Sequence, residues 1–150
     1  MKYYYLLAVV FWCTALCSAV ENKSVRQVAP APSLLTGKWD ADWISCPDVS
    51  LYDYGVYFRK NFKLDRQPES FVVNVSADNR YRLFVNGTPV CYGPARGDLN
   101  HWYFETVDIA SLLKAGENTL AAIVWNAGPY TPGAQMTLKT GLIVQGNTAL

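Results

Sequence analysis

The dipeptide Asn86-Gly87 constrains this chain more than any other feature, because it stands between two short runs whose residues alternate in polarity. Both residues accept positive φ, so the pair predicts a two-residue type I′ hairpin loop whose twist matches that of the strands it joins. Upstream, Tyr81, Leu83 and Val85 fall on one face and Arg82 on the other. Downstream, Thr88 to Cys91 is the return strand. Pro89 lacks the N–H that a ladder requires, which places this strand at a sheet edge, and Gly93-Pro94 ends it.

The period of two continues on both sides of the hairpin. Val56 to Leu64 sets Phe58, Phe62 and Leu64 against Tyr57, Arg59 and Lys63, with Lys60 interrupting the apolar face. Phe71, Val73 and Val75 form another inward set, from which Asn74 and Ser76 point away. His101 to Val107 predicts a strand with Trp102, Phe104 and Thr106 on one face. Asp108 is placed to cap a short helix from Ile109 to Lys114, which Gly116 stops. Thr119 to Trp125 is apolar on both faces and so belongs at the centre of a covered sheet. Beyond Gly128-Pro129 and Pro132-Gly133, a last strand runs from Met136 to Gln145. The expected fold is all-β: a β-sandwich or jelly roll with one short helix, its final strand expected beyond Leu150.

Met1-Lys2, the apolar run Tyr3 to Leu16 and the pair Ser18-Ala19 have the three regions of a secretory signal, cleaved after Ala19, so residues 1–19 are expected to be lost on export to the periplasm or exterior. Lipid attachment at Cys17 is the alternative. The run of about 14 residues is shorter than the roughly 20 that a membrane-spanning helix needs, so no transmembrane segment is expected. Residues 20–37 are small and polar, with Pro30, Pro32 and Gly37, and read as a leader before a domain spanning 38–150, with order expected from about Trp39. Losing Lys2 leaves twelve basic and twelve acidic residues. A neutral chain without a basic run lacks the footprint of a nucleic-acid partner. Cys46 and Cys91 remain after cleavage: a disulfide closing that loop would contribute about 4 kcal/mol in the chain-entropy model, and the other reading is two buried thiols. With His101 as its one histidine and no CxxC, the sequence offers no zinc set.

Val75-Ser76-Ala77-Asp78-Asn79-Arg80-Tyr81, Phe84-Val85-Asn86-Gly87, Gly93-Pro94-Ala95-Arg96, Asp108-Ile109 and Gly116-Glu117-Asn118 follow one another in that order. In this succession the chain from about 38 to 146 resembles the N-terminal β-sandwich of bacterial α-L-rhamnosidases of glycoside hydrolase family 78, within the wider galactose-binding-domain-like group. The resemblance implies a parent enzyme that removes terminal α-L-rhamnose from plant glycans by inversion, with its acid and base in a separate helical-barrel domain. This chain would then be an accessory domain whose partner is that catalytic domain. Two other readings stand beside it: a stand-alone carbohydrate-binding module, and a purely structural interaction domain.

Glycoside hydrolysis generally needs two carboxylates, about 6.5–9.5 Å apart in inverting enzymes. The loop-proximal candidates are Asp98, Glu105 and Asp108, but Asp108 reads as a cap and Glu105 as an outward strand residue, so no catalytic residue is assigned. No GxSxG elbow, P-loop or GxGxxG is present. For sugar binding, the segment 93–102 offers Arg96, Asp98, Asn100 and His101 as hydroxyl partners and Trp102 as a flat apolar platform. Tyr130 joins this set, with Asn126 and Gln135 nearby, because loops cluster at the ends of a sandwich. The competing reading makes Trp102 a core aromatic and gives the polar residues to turns. No cofactor is required; Asp78, Asn79, Asp98 and Asn100 are oxygen donors for a structural calcium, without the spacing of a dedicated loop.

Overall fold

The computed structural model describes residues 25–47, 55–130 and 137–146. Eight strands among them form two antiparallel sheets. The strands are β1 (Arg26–Gln27), β2 (Val56–Leu64), β3 (Val72–Asp78), β4 (Arg80–Val85), β5 (Thr88–Gly93), β6 (Glu105–Asp108), β7 (Gly116–Trp125) and β8 (Gly141–Gly146). One sheet has the order β1-β6-β3-β8 and the other β2-β7-β4-β5, so the all-β sandwich is the observed architecture.

The core forms where the alternation predicts it. Val73, Val75, Ala77, Val107 and Leu142 from the first sheet meet Tyr81, Leu83, Val85, Ala122 and Val124 from the second, and all ten are buried. Phe58, Phe62 and Leu64 close one side of it. Asn86 and Gly87 have φ of 50° and 82°, and Val85 pairs directly with Thr88, which is the expected two-residue loop. Pro89 sits on the edge strand β5, where the register shifts opposite Leu83 and Phe84. β7 lies between β2 and β4, as expected, but the expected cover on both faces is not found: Ala122 and Val124 are buried while Trp125, on the other face, is 41% exposed.

Several sequence expectations are corrected. Ordered chain begins before Trp39: Arg26 and Gln27 pair with Asp108 and Val107 of β6. The α-helix is α1 (Pro32–Thr36), within the segment read as a leader, while Ala110–Leu112 makes only a 3-10 turn. Asp108 nonetheless accepts the Ala110 N–H at 3.0 Å, along with the Phe71 N–H at 2.9 Å. The strand expected from His101 starts at Glu105, and the last strand starts at Gly141; Met136 lies outside the described residues, as do residues 1–24 and Gln135. Asn74 and Ser76 do point away from the core, yet both are buried.

The N-terminal segment explains that burial. It enters along β6 through β1 and leaves along β8, where Ile44 and Leu142 exchange backbone hydrogen bonds of 2.8 and 2.9 Å. Between those edges it lies against the outer face of the first sheet: the Gln145 side-chain oxygen accepts the Asp40 and Ala41 N–H groups, and the Thr140 carbonyl accepts the Ser45 hydroxyl. The covered polar groups are satisfied within the sheet. Thr106 donates to Asn74 Oδ1 at 2.8 Å, Asn74 to the Gln145 carbonyl at 3.2 Å, and Ser76 to the Tyr103 carbonyl at 2.7 Å.

Candidate functional site

Where the N-terminal segment meets the 98–104 loop, a groove of about 730 Å³ opens over Ser76 and Ile143 of the first sheet. That size lies within the range of small-ligand sites. Trp39, Trp43, Trp102 and Phe104 form its apolar surface, and Lys38, Asp42, Asn100 and His101 supply polar groups. The aromatics brace one another edge to face: Trp39 on Phe104 with centroids 5.0 Å apart, and Trp43 on Trp102 at 5.5 Å. Trp102 is half-buried and Trp43 is 46% exposed, so this pair is a wall of the groove rather than part of the sandwich core.

A tight turn fixes the polar lip. Asp98 Oδ1 accepts the N–H groups of Asn100 at 2.8 Å and His101 at 3.0 Å, while its carbonyl accepts His101 N–H at 3.1 Å. The His101 Nδ1–H donates to the same carboxylate at 2.9 Å. The His101 bond foremost, with the Asn100 N–H, holds the Asp98 carboxyl below its ordinary range. Because a carboxylate can only accept, His101 carries a proton on Nδ1 and is left with Nε2 on its exposed side.

The residues expected to contact sugar are therefore divided. Asn100, His101 and Trp102 line the groove, and Asp98 orients His101. Arg96 is exposed in the preceding loop and is not part of the lining, and Tyr130 is 79% exposed in a separate 3-10 turn. Asn126 is buried, bonded to Thr137, Asp78 and the Gly128 N–H. Among the groove residues that the sequence does not announce are Trp39 and Trp43. Their aromatic character was visible, but only the crossing of the N-terminal segment brings Trp39 to Phe104 and Trp43 to Trp102.

The carboxylates have other occupations. Asp78 Oδ1 accepts the Thr137 hydroxyl at 2.7 Å, and its Oδ2 accepts the Leu138 and Lys139 N–H groups at 2.6 and 2.8 Å, which ties down the start of β8. Both oxygens of this proposed calcium donor are thus engaged. Among the described residues, no group of three or more His, Cys, Asp or Glu side chains gathers as a metal site. Glu105 does not face outward as expected. It lies half-buried over Gly93, where a β-carbon would collide with its carboxylate, and it accepts the Tyr81 hydroxyl.

Burial pushes the Glu105 carboxyl up, against the opposing pull of Tyr81, the Ala95 N–H and Arg80. Burial likewise raises the Tyr81 phenol, reinforced by Cys91 and Glu105, and pushes the Cys91 thiol up to about 11. Cys91 and Cys46 are free thiols, and Cys46 is exposed, so neither a disulfide nor a pair of buried thiols is present. Glu105 and Asp108 stand at opposite ends of β6, and Asp98 is exposed at its turn. These carboxylates brace loops and strand ends.

No family model matches the chain, and no curated protein does. Solved structures do. A family 78 rhamnosidase of Bacillus sp. GL1 superimposes with a TM-score of 0.64 at 29% identity, over 72% of this chain. The likeness is to α-L-rhamnosidases. Those of Dictyoglumus thermophilum (TM-score 0.53, 18% identity, 73% of this chain) and Streptomyces avermitilis, the latter complexed with L-rhamnose (0.51, 24%, 77%), share the fold. The chain covers only 12%, 13% and 11% of these three rhamnosidases, respectively. It is similar to one domain of a rhamnosidase-like glycoside hydrolase. Among the described residues, no helix is long and apolar enough to cross a membrane.

Proposed function

We propose that this chain is the accessory N-terminal domain of an exported α-L-rhamnosidase-like glycoside hydrolase that acts on rhamnose-containing plant glycans, with the catalytic acid and base in another domain of the same polypeptide. The observation that carries this reading is the 29% identity to the Bacillus sp. GL1 rhamnosidase, held over 72% of this chain but 12% of that one. The occupation of Asp78, Asp98, Glu105 and Asp108 by structural hydrogen bonds is in keeping with chemistry performed elsewhere. Export rests on the Lys2 start, the short apolar run and Ser18-Ala19. The domain's work is to pack against its catalytic partner and shape the approach to that partner's pocket.

Expression of the complete polypeptide that carries this sequence tests the reading. Release of the aryl group from an aryl α-L-rhamnoside is expected, together with a mature N-terminus at Val20 by mass spectrometry. A polypeptide inert toward rhamnosides but active on another glycoside would refute the assignment.

A further inference from the structure

The two sheets of the sandwich differ in charge. In the strands of the second sheet the basic residues are Arg59, Lys60, Lys63, Arg80 and Arg82 and the one acid is Glu117, whereas the first sheet carries Arg26 against Asp78, Glu105 and Asp108. The whole chain has a net charge of +1, so charge is separated rather than in excess. Arg59, Lys63 and Arg82 alternate onto the outer face of the second sheet; Lys63 has Glu117 opposite it in the ladder, but among the described residues no salt bridge engages Arg59 or Arg82. The same face is aromatic. Tyr57, Ile123, Arg82 and Tyr92 lie in one cross-strand row, about 14 Å from first to last at the usual strand spacing. Tyr57 and Tyr92 are 78% and 80% exposed. Trp125 flanks the row on one side, opposite Arg80, and Phe84 on the other, with the Arg82 guanidinium 5.5 Å from its ring centroid.

Tyrosine, tryptophan and arginine are the residues that concentrate at the energetic centres of protein interfaces. A four-stranded face offers breadth rather than a concavity, so it suits a protein surface and not a small ligand. A second copy of this chain, packed face to face, would set the same cations against one another, whereas an acidic surface would bring carboxylates that guanidinium groups hold bidentately. Lys60 belongs by alternation to the inner face yet is exposed on edge strand β2, and an inward-pointing charge at an edge discourages the addition of a further strand, so the contact is made through the face. We propose that this face, centred on Tyr57, Arg82 and Tyr92, docks an acidic surface on the catalytic domain of the same polypeptide. The choice of the catalytic domain rests on the proposed function; the acidity of its surface rests on the charge of the face.

Hydroxyl-radical footprinting of the complete polypeptide tests the contact. Tyr130, 79% exposed in its 3-10 turn and outside this face, is the internal reference. Tyr57 and Tyr92 are expected to be oxidised about fivefold less than Tyr130, as residues at a water-excluding interface centre are. Arg82→Glu and Arg59→Glu, exposed substitutions that leave the core untouched, should each bring both tyrosines back toward the Tyr130 level, while Arg82→Lys, which keeps the charge, should retain most of the protection. Oxidation of Tyr57 and Tyr92 equal to that of Tyr130 would overturn the docking face, as would protection indifferent to both charge reversals. Protection that grows with protein concentration would assign the face to a second copy, and protection that appears only on adding a polyuronate would assign it to an acidic glycan; either result overturns the proposal. Rhamnoside hydrolysis by the same preparation is read separately: hydrolysis without protection overturns the docking face alone, and protection without hydrolysis overturns the proposed function and leaves the face.

Discussion

Asn118 shows how much of this fold hangs on single carboxamides. Its Oδ1 accepts the Lys114 N–H at 3.0 Å and an Asn86 side-chain N–H at 2.9 Å, and its Nδ2 donates to the Lys114 and Gly116 carbonyls at 2.7 and 3.0 Å. Asn86 adds the Thr119 N–H, so one buried and one exposed asparagine join the hairpin to the start of β7. The sequence announced Asn86 through its glycine neighbour but not Asn118, whose partners converge only after folding. Asn118→Ala should cost about 2–4 kcal/mol by leaving several buried groups unpaired. Gly87→Val, strained at its φ of 82°, should cost about 1–3 kcal/mol. Chemical denaturation of the two variants checks the order.

Glu105 gives a pH signature at the same scale. Its folded pKa is raised, chiefly by burial, so the folded state holds the proton more tightly than the unfolded chain does. Its contribution to stability is therefore fully present below the unfolded carboxyl range and is lost as pH rises through the folded value. Glu105→Gln should flatten this part of the pH–stability profile, measured as urea midpoints from acid to neutral pH. An unchanged profile would show that the burial does not bear on its titration.

At the scale of elements, periodicity located the strands that make the two-layer core, because each of them buries one face against the other sheet. It failed where a segment gets its place from a distant partner. The residues from Val25 to Thr36 look like a leader because they have no period of their own; β6 and the first sheet's outer face supply their contacts. His101 to Phe104 has the alternation of a strand, yet the Asp98 turn and the groove claim it, leaving only Glu105–Asp108 in the ladder. Gln145→Ala should release Asp40 and Ala41 and destabilise by about 1–2 kcal/mol, with a change in Trp39 fluorescence. Trp102→Ala should cost about 2 kcal/mol, short of the roughly 3–5 expected for a fully buried aromatic. Thermal midpoints and tryptophan emission measure both.

For the whole molecule, two sheets, a covered outer face and a set of engaged carboxylates describe a domain whose polar side chains hold its own loops and strand ends in place. The fold class was legible from strand spacing and the Asn86-Gly87 turn. The groove was only half legible, since Trp39 and Trp43 lie far along the chain from Phe104 and Trp102, which they meet through a crossing that no local pattern encodes. The rhamnosidase likeness spans most of this chain and little of its counterparts, and the function proposed above puts catalysis in another domain. Assay of the purified chain with a chromogenic aryl α-L-rhamnoside tests that division of labour most directly. No release above the buffer blank is predicted; turnover that co-purifies with the chain and disappears in Asp98→Asn would contradict it.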